Sequence, residues 1–258
     1  MTLVVDPSTY VPASAIPSLS AAQMADVDRL AVDEYGIDLL QMMEQAGSHL
    51  AEVVRIELGG SLVGRAVVVA AGPGSNGGGG LTAARHLANR GADVRVVLAR
   101  PAMRSTEASR HQLSTLLAIG TDCCVATFDL SDDELVAALQ LADAVVDAIL
   151  GYNISGPPRG DVEHLIGFVI RAGRPVISLD LPSGLDPDTG SVLGSAVRAA
   201  ATMTLALPKS GLFAAEGPAH TGRLYVADIG LPPSLYDALG ITVGPFFAGG
   251  RIIRVGHA

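Results

Sequence analysis

The 258-residue sequence has no tryptophan, and aromatic residues make up only 4% of it. Its hydrophobic fraction of 49% therefore consists mainly of alanine, valine, leucine and isoleucine. Such aliphatic composition is typical of α/β proteins whose parallel strands are buried on both faces. The scarcity of aromatic residues thus favours that fold class before any motif is considered.

Cysteine is equally scarce, with only the adjacent Cys123 and Cys124. Two cysteines exclude a disulfide framework and predict a reducing compartment. Their run resembles a strand, in which neighbouring side chains point to opposite faces. We therefore expect two reduced thiols in the core, with a vicinal redox pair as the alternative. The first residues carry Asp6 and no basic stretch, unlike a signal peptide, so we expect a cytoplasmic protein.

Basic residues are also in deficit, and the formal net charge is −9. This charge argues against nucleic acid or an anionic membrane surface as a partner. No run of about 18 uncharged apolar residues occurs, so no membrane span is expected. A phosphate-bearing ligand would have to be bound by backbone N–H groups and a few cations.

Apolar runs that favour strands alternate with amphipathic segments at the spacing of βαβ units. The predicted strands are residues 65–71, 94–99, 123–128, 143–150, 175–181, 201–207 and 224–228. Two helices precede them, one starting at the capping box of Ser20 and Gln23 and one spanning 38–58. We predict an α/β fold with a doubly wound, mostly parallel sheet and helices on both faces. The domain would span 20–233, between a loosely held extended arm at 1–19 and a C-terminal appendage at 234–258.

The densest glycine segment follows the first predicted strand. Six glycines lie within residues 72–80, and the predicted helix begins only at Leu81. Glycine lets a ligand approach the backbone, and a helix N-terminus attracts anions. The segment therefore predicts a phosphate or nucleotide cradle rather than a flexible linker.

Several nucleotide-binding and hydrolase signatures are missing or incomplete. No Gly-Lys-Ser/Thr follows the glycine segment, which excludes a phosphate-loop NTPase, and the Gly-x-Ser-x-Gly elbow of serine hydrolases is absent. Gly72, Gly74 and Gly77 match the dinucleotide fingerprint formally, but the next strand ends at Arg100 without a ribose-binding acid. A dehydrogenase whose Arg100 meets a 2′-phosphate stays open as a minor alternative.

Polar residues concentrate where predicted strands end, and the carboxyl ends of parallel strands meet at one edge of a sheet. Asp147 interrupts an apolar run, so its carboxylate needs a cation, a substrate group or a helix end to offset burial. Asp180 ends the next strand and is the predicted acid–base group. Asn76 and Ser183 add neutral oxygens, and this donor set suits a hard cation better than zinc. Lys209, the only lysine, could pair with substrate phosphate or with Asp180, or lie in solvent.

Ordered motifs from about residue 20 to 233 resemble the YjeF N-terminal domain family. They include the glycine segment and the segments Met43–Gly47, Asp147–Gly151, Asp180–Gly190 and Pro208–Leu212. The resemblance implies a three-layer α/β/α Rossmann-like fold and NAD(P)H-hydrate epimerase activity. That activity interconverts the R and S forms of the damaged cofactors NADHX and NADPHX. Because only residues 234–258 follow the match, we expect the stand-alone form, without a dehydratase domain.

The resemblance also implies the residues of the site. Asn76, Asp147 and Ser183 would hold a potassium ion. Asp180 would move the proton that lets the C6 hydroxyl leave and water return on the other face, and we place Lys209 beside it as a second catalytic residue. The implied substrate contacts are Asp180, Ser75, Asn76, Gly77, Gly78, Gly79, Gly151, Tyr152, Asn153, Ile154, Ser155, Gly156 and Pro157. A homodimer is implied as well.

Several positions depart from the family pattern, among them Ala199 and Ala200, where an acid is common. Ser75 replaces an asparagine, Gly79 replaces an aspartate, and Tyr152 stands where a small residue is usual. Asp180 and the three cation-ligand positions are retained. The departures leave an alternative open, namely a divergent protein of the same fold that binds a nucleotide without epimerising it or serves as a scaffold.

Overall fold

The computed structural model describes residues 10–125 and 129–256, which form nine strands and eight α-helices. The strands are β1 (Tyr10–Pro12), β2 (Ala66–Ala71), β3 (Asp93–Leu98), β4 (Asp122–Val125), β5 (Ala144–Ala148), β6 (Val176–Leu179), β7 (Ala201–Leu205), β8 (Arg223–Ala227) and β9 (Ile252–Gly256). The helices are α1 (Ala21–Asp33), α2 (Leu39–Glu57), α3 (Ser75–Asn89), α4 (Glu107–Ala118), α5 (Asp132–Gln140), α6 (Asp161–Ala172), α7 (Gly217–Thr221) and α8 (Pro233–Asp237).

All the described strands belong to one sheet, in the order β1-β9-β8-β7-β6-β5-β2-β3-β4. Neighbouring strands run parallel except β8 and β9, which are antiparallel. From β2 the chain winds first to β3 and β4, and then returns to the other side for β5, β6 and β7. The predicted doubly wound, mostly parallel sheet is confirmed. Its switch point lies between β2 and β5, where such sheets bind ligands.

Helices cover both faces of the sheet. On one face α2, α3 and α4 pack against residues that include Val67 and Val69. On the other face α5 and α6 pack against residues that include Val68 and Ala70. Because successive residues of β2 point to opposite faces, its unbroken apolar sequence suits a strand buried between two helical layers. The three-layer α/β/α architecture is thereby confirmed.

The terminal segments differ from the loosely held arm and the appendage that the sequence suggests. β1 pairs with β9, and β9 pairs with β8, so the described parts of 1–19 and 234–258 extend the central sheet. Leu19 donates its N–H to the Pro208 carbonyl and accepts from the Ser210 N–H. The expectation of a loosely held arm is wrong for residues 10–19, because Ile16 and Leu19 are buried. The boundaries at 19 and 233 stay predictions.

The predicted strand at 123–128 is described only for its first part, within β4. Residues 126–128 and the side chains of 122–125 lie outside the described residues. The expectation of two core thiols at Cys123 and Cys124 therefore stays a prediction. Among the residues that the structure describes, no helix is long and apolar enough to cross a lipid bilayer.

Candidate active site

A cavity of about 670 Å³ opens at the carboxyl ends of the central strands. The segment after β2 leads to α3 on one face of the sheet, and the segment after β5 leads to α6 on the other face. The two segments separate at the switch point, and the space between them forms the cavity. The helices α1 and α2 supply its outer wall through apolar residues that include Met24, Met42 and Met43.

Only the first three residues of the glycine segment form a loop, which is shorter than the sequence suggests. The loop consists of 72–74, and α3 begins at Ser75, six residues before the predicted start at Leu81. A Cβ on Gly77 would lie 1.9 Å from the Gly72 carbonyl oxygen, and one on Gly80 would lie 2.3 Å from the Ala148 Cβ. These glycines therefore serve close packing inside a helix, and tertiary contacts outweigh their poor helix propensity.

The start of α3 brings part of the predicted binding segment to the cavity. Ser75, Asn76 and Gly79 line the cavity, whereas Gly77 and Gly78 are buried and do not line it. The first N–H groups of this 15-residue helix and the positive end of its dipole are suited to an anion. The first turn of α3 is therefore where the expected phosphate cradle would lie, and phosphate binding there stays a prediction.

Asp180 and Lys209 form a buried ion pair on the floor of the cavity. Lys209 Nζ donates to Asp180 Oδ1 in a short contact and to the Leu205 carbonyl at 3.0 Å. Asp180 is 3% exposed and Lys209 is 0% exposed. A buried charge needs a partner to offset its lost hydration, and each of these residues supplies it for the other. Of the alternatives for Lys209, solvent exposure is excluded and pairing with Asp180 is observed.

The backbone at Asp180 is held in an uncommon conformation. Asp180 lies one residue beyond β6 and has φ of 69°, in the left-handed region that non-glycine residues rarely adopt. Its N–H donates to the Met203 carbonyl at 2.8 Å, and its Oδ2 accepts from the Tyr152 N–H at 3.0 Å. Local strain of this kind persists where surrounding contacts fix it, and it concentrates at functional sites. Here it aims the carboxylate at the cavity.

Asp147 lies beneath the cavity and does not line it. Its carboxylate accepts from Ser183 Oγ at 2.5 Å, the Ser183 N–H at 2.9 Å, Ser178 Oγ at 2.8 Å and the Ile149 N–H at 3.3 Å. Complete burial raises the pKa of the Asp147 carboxyl, and these four hydrogen bonds oppose the rise. All four donors are uncharged, so the described residues around this carboxyl group are neutral hydroxyl and amide groups.

Asn76 connects this cluster to the cavity. Its side-chain amide Nδ2 donates to the carbonyls of Leu150 at 2.8 Å and Leu179 at 3.2 Å. The Leu150 N–H in turn donates to Ser183 Oγ at 2.9 Å. The three predicted cation ligands therefore lie in one hydrogen-bonded cluster. In the described part of the chain, no three His, Cys, Asp or Glu side chains gather as a metal site would require.

The segment after β5 reaches the cavity with its first half only. Gly151, Tyr152, Asn153 and Ile154 line the cavity, whereas Ser155, Gly156 and Pro157 do not. Arg100, the position considered for a 2′-phosphate, lies 3.8 Å from Asp161 and is also outside the lining. Substrate contact by any of these residues stays a prediction.

Asp28 is a site residue that the sequence reasoning missed. It lies on α1, lines the cavity and accepts a hydrogen bond of 2.5 Å from the Tyr152 hydroxyl. Met24, Val27 and Ala31 form the buried face of α1, and Asp28 falls on the same face by helical spacing. The sequence did contain a signal for Asp28, because a carboxylate on the apolar face of a predicted helix indicates a buried polar contact.

Comparisons with known proteins identify the family and support the fold. The family model described as YjeF-related protein N-terminus matches residues 39–211. The NAD(P)H-hydrate epimerase of Dehalogenimonas lykanthroporepellens is 42% identical over 93% of this chain and 94% of its own length. The bifunctional NAD(P)H-hydrate repair enzyme Nnr of Moorella thermoacetica is 40% identical over 84% of this chain, which spans only 41% of that relative. The crystal structure of yeast ynu0 matches with a TM-score of 0.79 and 24% identity, covering 93% of this chain and 100% of that one, and supports the fold.

Proposed function

Because the chain belongs to the family of YjeF-related N-terminal domains, we propose that it is an NAD(P)H-hydrate epimerase that interconverts the R and S forms of NADHX and NADPHX. One observation carries this proposal at the level of the site. A buried carboxylate paired with the only lysine opens onto a cavity beside the first turn of α3. Groups suited to anion binding and to proton transfer thus lie on one cavity.

The cavity suits the nicotinamide end of a dinucleotide. Its volume lies within the range of about 300–1,000 Å³ typical of small-molecule sites. The first turn of α3 supplies N–H donors for phosphate oxygens, and Asp180 lies on the floor where the hydrated ring would have to react. Apolar side chains of α1 and α2, among them Met24, Met42 and Met43, line the cavity and limit the access of water to that ring.

Asp180 would act as the proton carrier of the reaction. The C–O bond at C6 of the tetrahydropyridine ring breaks when the hydroxyl takes up a proton and leaves as water. The ring nitrogen lone pair stabilises the resulting iminium ion, and water then adds from the other face and releases a proton. Lys209 stabilises the carboxylate form of Asp180, which accepts this proton. Acid–base assistance of this kind is worth about 10²–10⁴-fold in rate.

We also propose that Asn76, Asp147 and Ser183 hold a potassium ion. The donor chemistry fits, because one carboxylate, one hydroxyl and one side-chain amide lie together with the Leu150 and Leu179 carbonyls. Hard oxygen donors with a single negative charge suit a monovalent cation. Bound there, the ion would supply a fixed positive charge beside the loops that end β5 and β6.

The test is a coupled assay on a mixture of R and S NADHX. An S-specific dehydratase first consumes the S form, and the protein is then added to the remaining R form. An epimerase restarts consumption at a rate proportional to its concentration. Consumption that stays at the spontaneous rate would refute the proposal, and nucleotide binding in calorimetry would then indicate the non-epimerising alternative.

We further propose a cytoplasmic homodimer that binds neither nucleic acid nor membranes. The net charge of −9 and the absence of a disulfide framework support the location and the excluded partners. The homodimer follows from the resemblance to the family. Light scattering should give twice the mass of the chain, and a monomeric mass would contradict the dimer.

A further inference from the structure

A second pair of titratable groups, Tyr152 and Asp28, lines the cavity. The Tyr152 hydroxyl donates to Asp28 Oδ2 at 2.5 Å, and both residues belong to the cavity lining. Among the described residues, no group donates to Asp28 Oδ1. The second oxygen of this carboxyl group is therefore available to a ligand.

Tyr152 contacts both carboxyl groups of the cavity. Its backbone N–H donates to Asp180 Oδ2 at 3.0 Å, while its hydroxyl binds Asp28. The Lys209 Nζ lies 5.6 Å from the centre of the tyrosine ring. Asp180 and Asp28 are thus held near opposite ends of one tyrosine, with the cavity open to both.

Epimerisation by loss and return of water needs proton transfer on two faces of a ring. A single carboxylate has to serve both faces, whereas two separated carboxyl groups can serve one face each. Inverting glycosidases place an acid and a base apart in this way, so that a water molecule fits between the base and the ring. Asp28 and Asp180 likewise are two carboxyl groups on one cavity, each bonded to a different end of Tyr152.

We propose that Asp28 is a second acid–base catalyst and that Tyr152 positions it through its hydroxyl group. This inference rests on the proposed epimerase function. In one direction the Asp28 carboxylic acid gives its proton to the C6 hydroxyl, the C–O bond breaks and water leaves. A second water forms the new C–O bond on the other face and gives its proton to the Asp180 carboxylate. The opposite direction uses the same groups with exchanged roles, and solvent resets the protons. One water leaves and one returns, with no redox change.

The environment of Asp28 favours the acid form that this step requires. Burial raises the pKa of the Asp28 carboxyl, and the Asp180 charge acts in the same direction. The Tyr152 hydrogen bond and the Lys209 charge oppose them. The other groups near it are Tyr236 of α8 and, on its own helix, Arg29 and Asp33, which reach the same cavity. Burial also raises the pKa of Tyr152 well above its usual range, so the phenol remains a donor.

The experiment compares full-length Asp28→Asn, Asp28→Glu and Tyr152→Phe with the wild type in the coupled NADHX assay. We expect Asp28→Asn to lower kcat by about 10²-fold or more with little change in KM. Asp28→Glu should recover part of the rate, because it restores a carboxyl group. Tyr152→Phe should lower kcat by about tenfold or less, since it removes one positioning hydrogen bond. Asp26→Asn, an exposed carboxylate on the same helix outside the cavity lining, is the matched control and should match the wild type.

Two further measurements separate catalysis from a structural effect. If protonated Asp28 gives the proton, the wild-type rate should fall as pH rises through the pKa of Asp28. The Asp28→Asn variant should not show this decline. Affinity for NADH, measured by calorimetry, should be the same in both proteins. A variant that lost NADH binding together with activity would show that Asp28 serves structure and would overturn the inference.

The outcomes for the two proposals are distinct. A wild-type protein that fails to accelerate consumption of R NADHX refutes the epimerase function and this inference with it. A wild type that is active, with Asp28→Asn within twofold of its kcat, overturns the role of Asp28 alone. Should Asp28→Asn fail to fold, Tyr152→Phe carries the test, and an unchanged kcat and pH profile in that variant overturns the pairing.

Discussion

Two neighbouring strands each place an aspartate under the same cavity, and the surroundings of the two aspartates differ. Asp147, within β5, is fully buried and is bound by uncharged hydroxyl and amide donors. Asp180, just beyond β6, is paired with a lysine and lines the cavity. Its backbone lies in the left-handed region, whereas Asp147 continues a regular strand.

The contrast distinguishes a carboxyl group that connects strand ends from one that can exchange a proton with a ligand. Four neutral donors fix Asp147 and join the ends of β5 and β6, and they leave no path to a substrate. Asp180 accepts from Lys209 Nζ, from the Tyr152 N–H and, at 3.4 Å, from Thr204 Oγ1, and it lines the cavity. The same residue type, one strand apart, therefore takes different roles because of its donors and its access to the ligand.

Replacing Asp180 by asparagine should have the largest effect on activity. Asparagine keeps the shape but cannot carry the proton, so the epimerisation rate should fall by about 10²–10⁴-fold. The coupled NADHX assay measures this loss, with circular dichroism to verify the fold. Exposed Asp237→Asn is the control. A folded Asp180→Asn protein with full activity would contradict the acid–base role.

Replacing Lys209 by methionine should have the largest effect on stability. The change leaves the Asp180 carboxylate buried without its cation, and the free energy of unfolding should fall by about 3–5 kcal/mol. The double variant Asp180→Asn with Lys209→Met removes both charges and should regain part of that loss while remaining inactive. Urea denaturation of the two single variants and the double variant measures the coupling. Additive effects would show that the two charges do not support each other.

Replacing Asp147 by asparagine should destabilise the protein by about 1–3 kcal/mol, since the new amide would face donors that then lack an acceptor. Potassium should raise the melting temperature of the wild type but not of this variant. At a potassium concentration of 100 times Kd, binding should add about 2.7 kcal/mol to the free energy of unfolding of the wild type. Ser178→Ala, which removes one donor to the same carboxylate, should cost less and keep the potassium response. Equal responses to potassium and sodium in the wild type would argue against the ion site.

The smallest effect should appear in the pH dependence of stability, through Asp28. Because burial raises the pKa of Asp28 in the folded protein, its favourable contribution is complete below the unfolded pKa and is lost as pH rises through the folded pKa. The stability of the wild type relative to Asp28→Asn should therefore decline from acid to neutral pH. Urea denaturation of both proteins at several pH values measures the difference. A relative stability that rises with pH would mean that hydrogen bonding and Lys209 outweigh burial.

Sequence reasoning located both carboxylates because each follows or interrupts an apolar run that only a strand explains. It gave Asp180 as one possible partner of Lys209 without deciding, and it did not find Ser178 beside Asp147, because both contacts join residues that are distant in sequence. Asp28 was missed for the same reason. Only the folded arrangement of α1 and the segment after β5 shows that its carboxylate meets Tyr152.

The start of α3 was predicted wrongly, and the glycine segment shows why. Its composition predicted a loop as far as Gly80, because glycine is a poor helix former in isolation. The residues that make a helix possible are distant in sequence, such as Ala148 against Gly80 and Met43 against Gly78. Local propensity gives the position of the turn after β2, but contacts between elements decide where α3 begins.

The burial of Lys209 has a practical consequence. It is the only lysine in the chain, so amine-reactive reagents meet no other side-chain target. Its acylation requires a fluctuation that opens the floor of the cavity, and the labelling rate reports the frequency of that opening. A nucleotide bound above Asp180 should slow the labelling. The protein thus contains its own chemical reporter of motion at the active site.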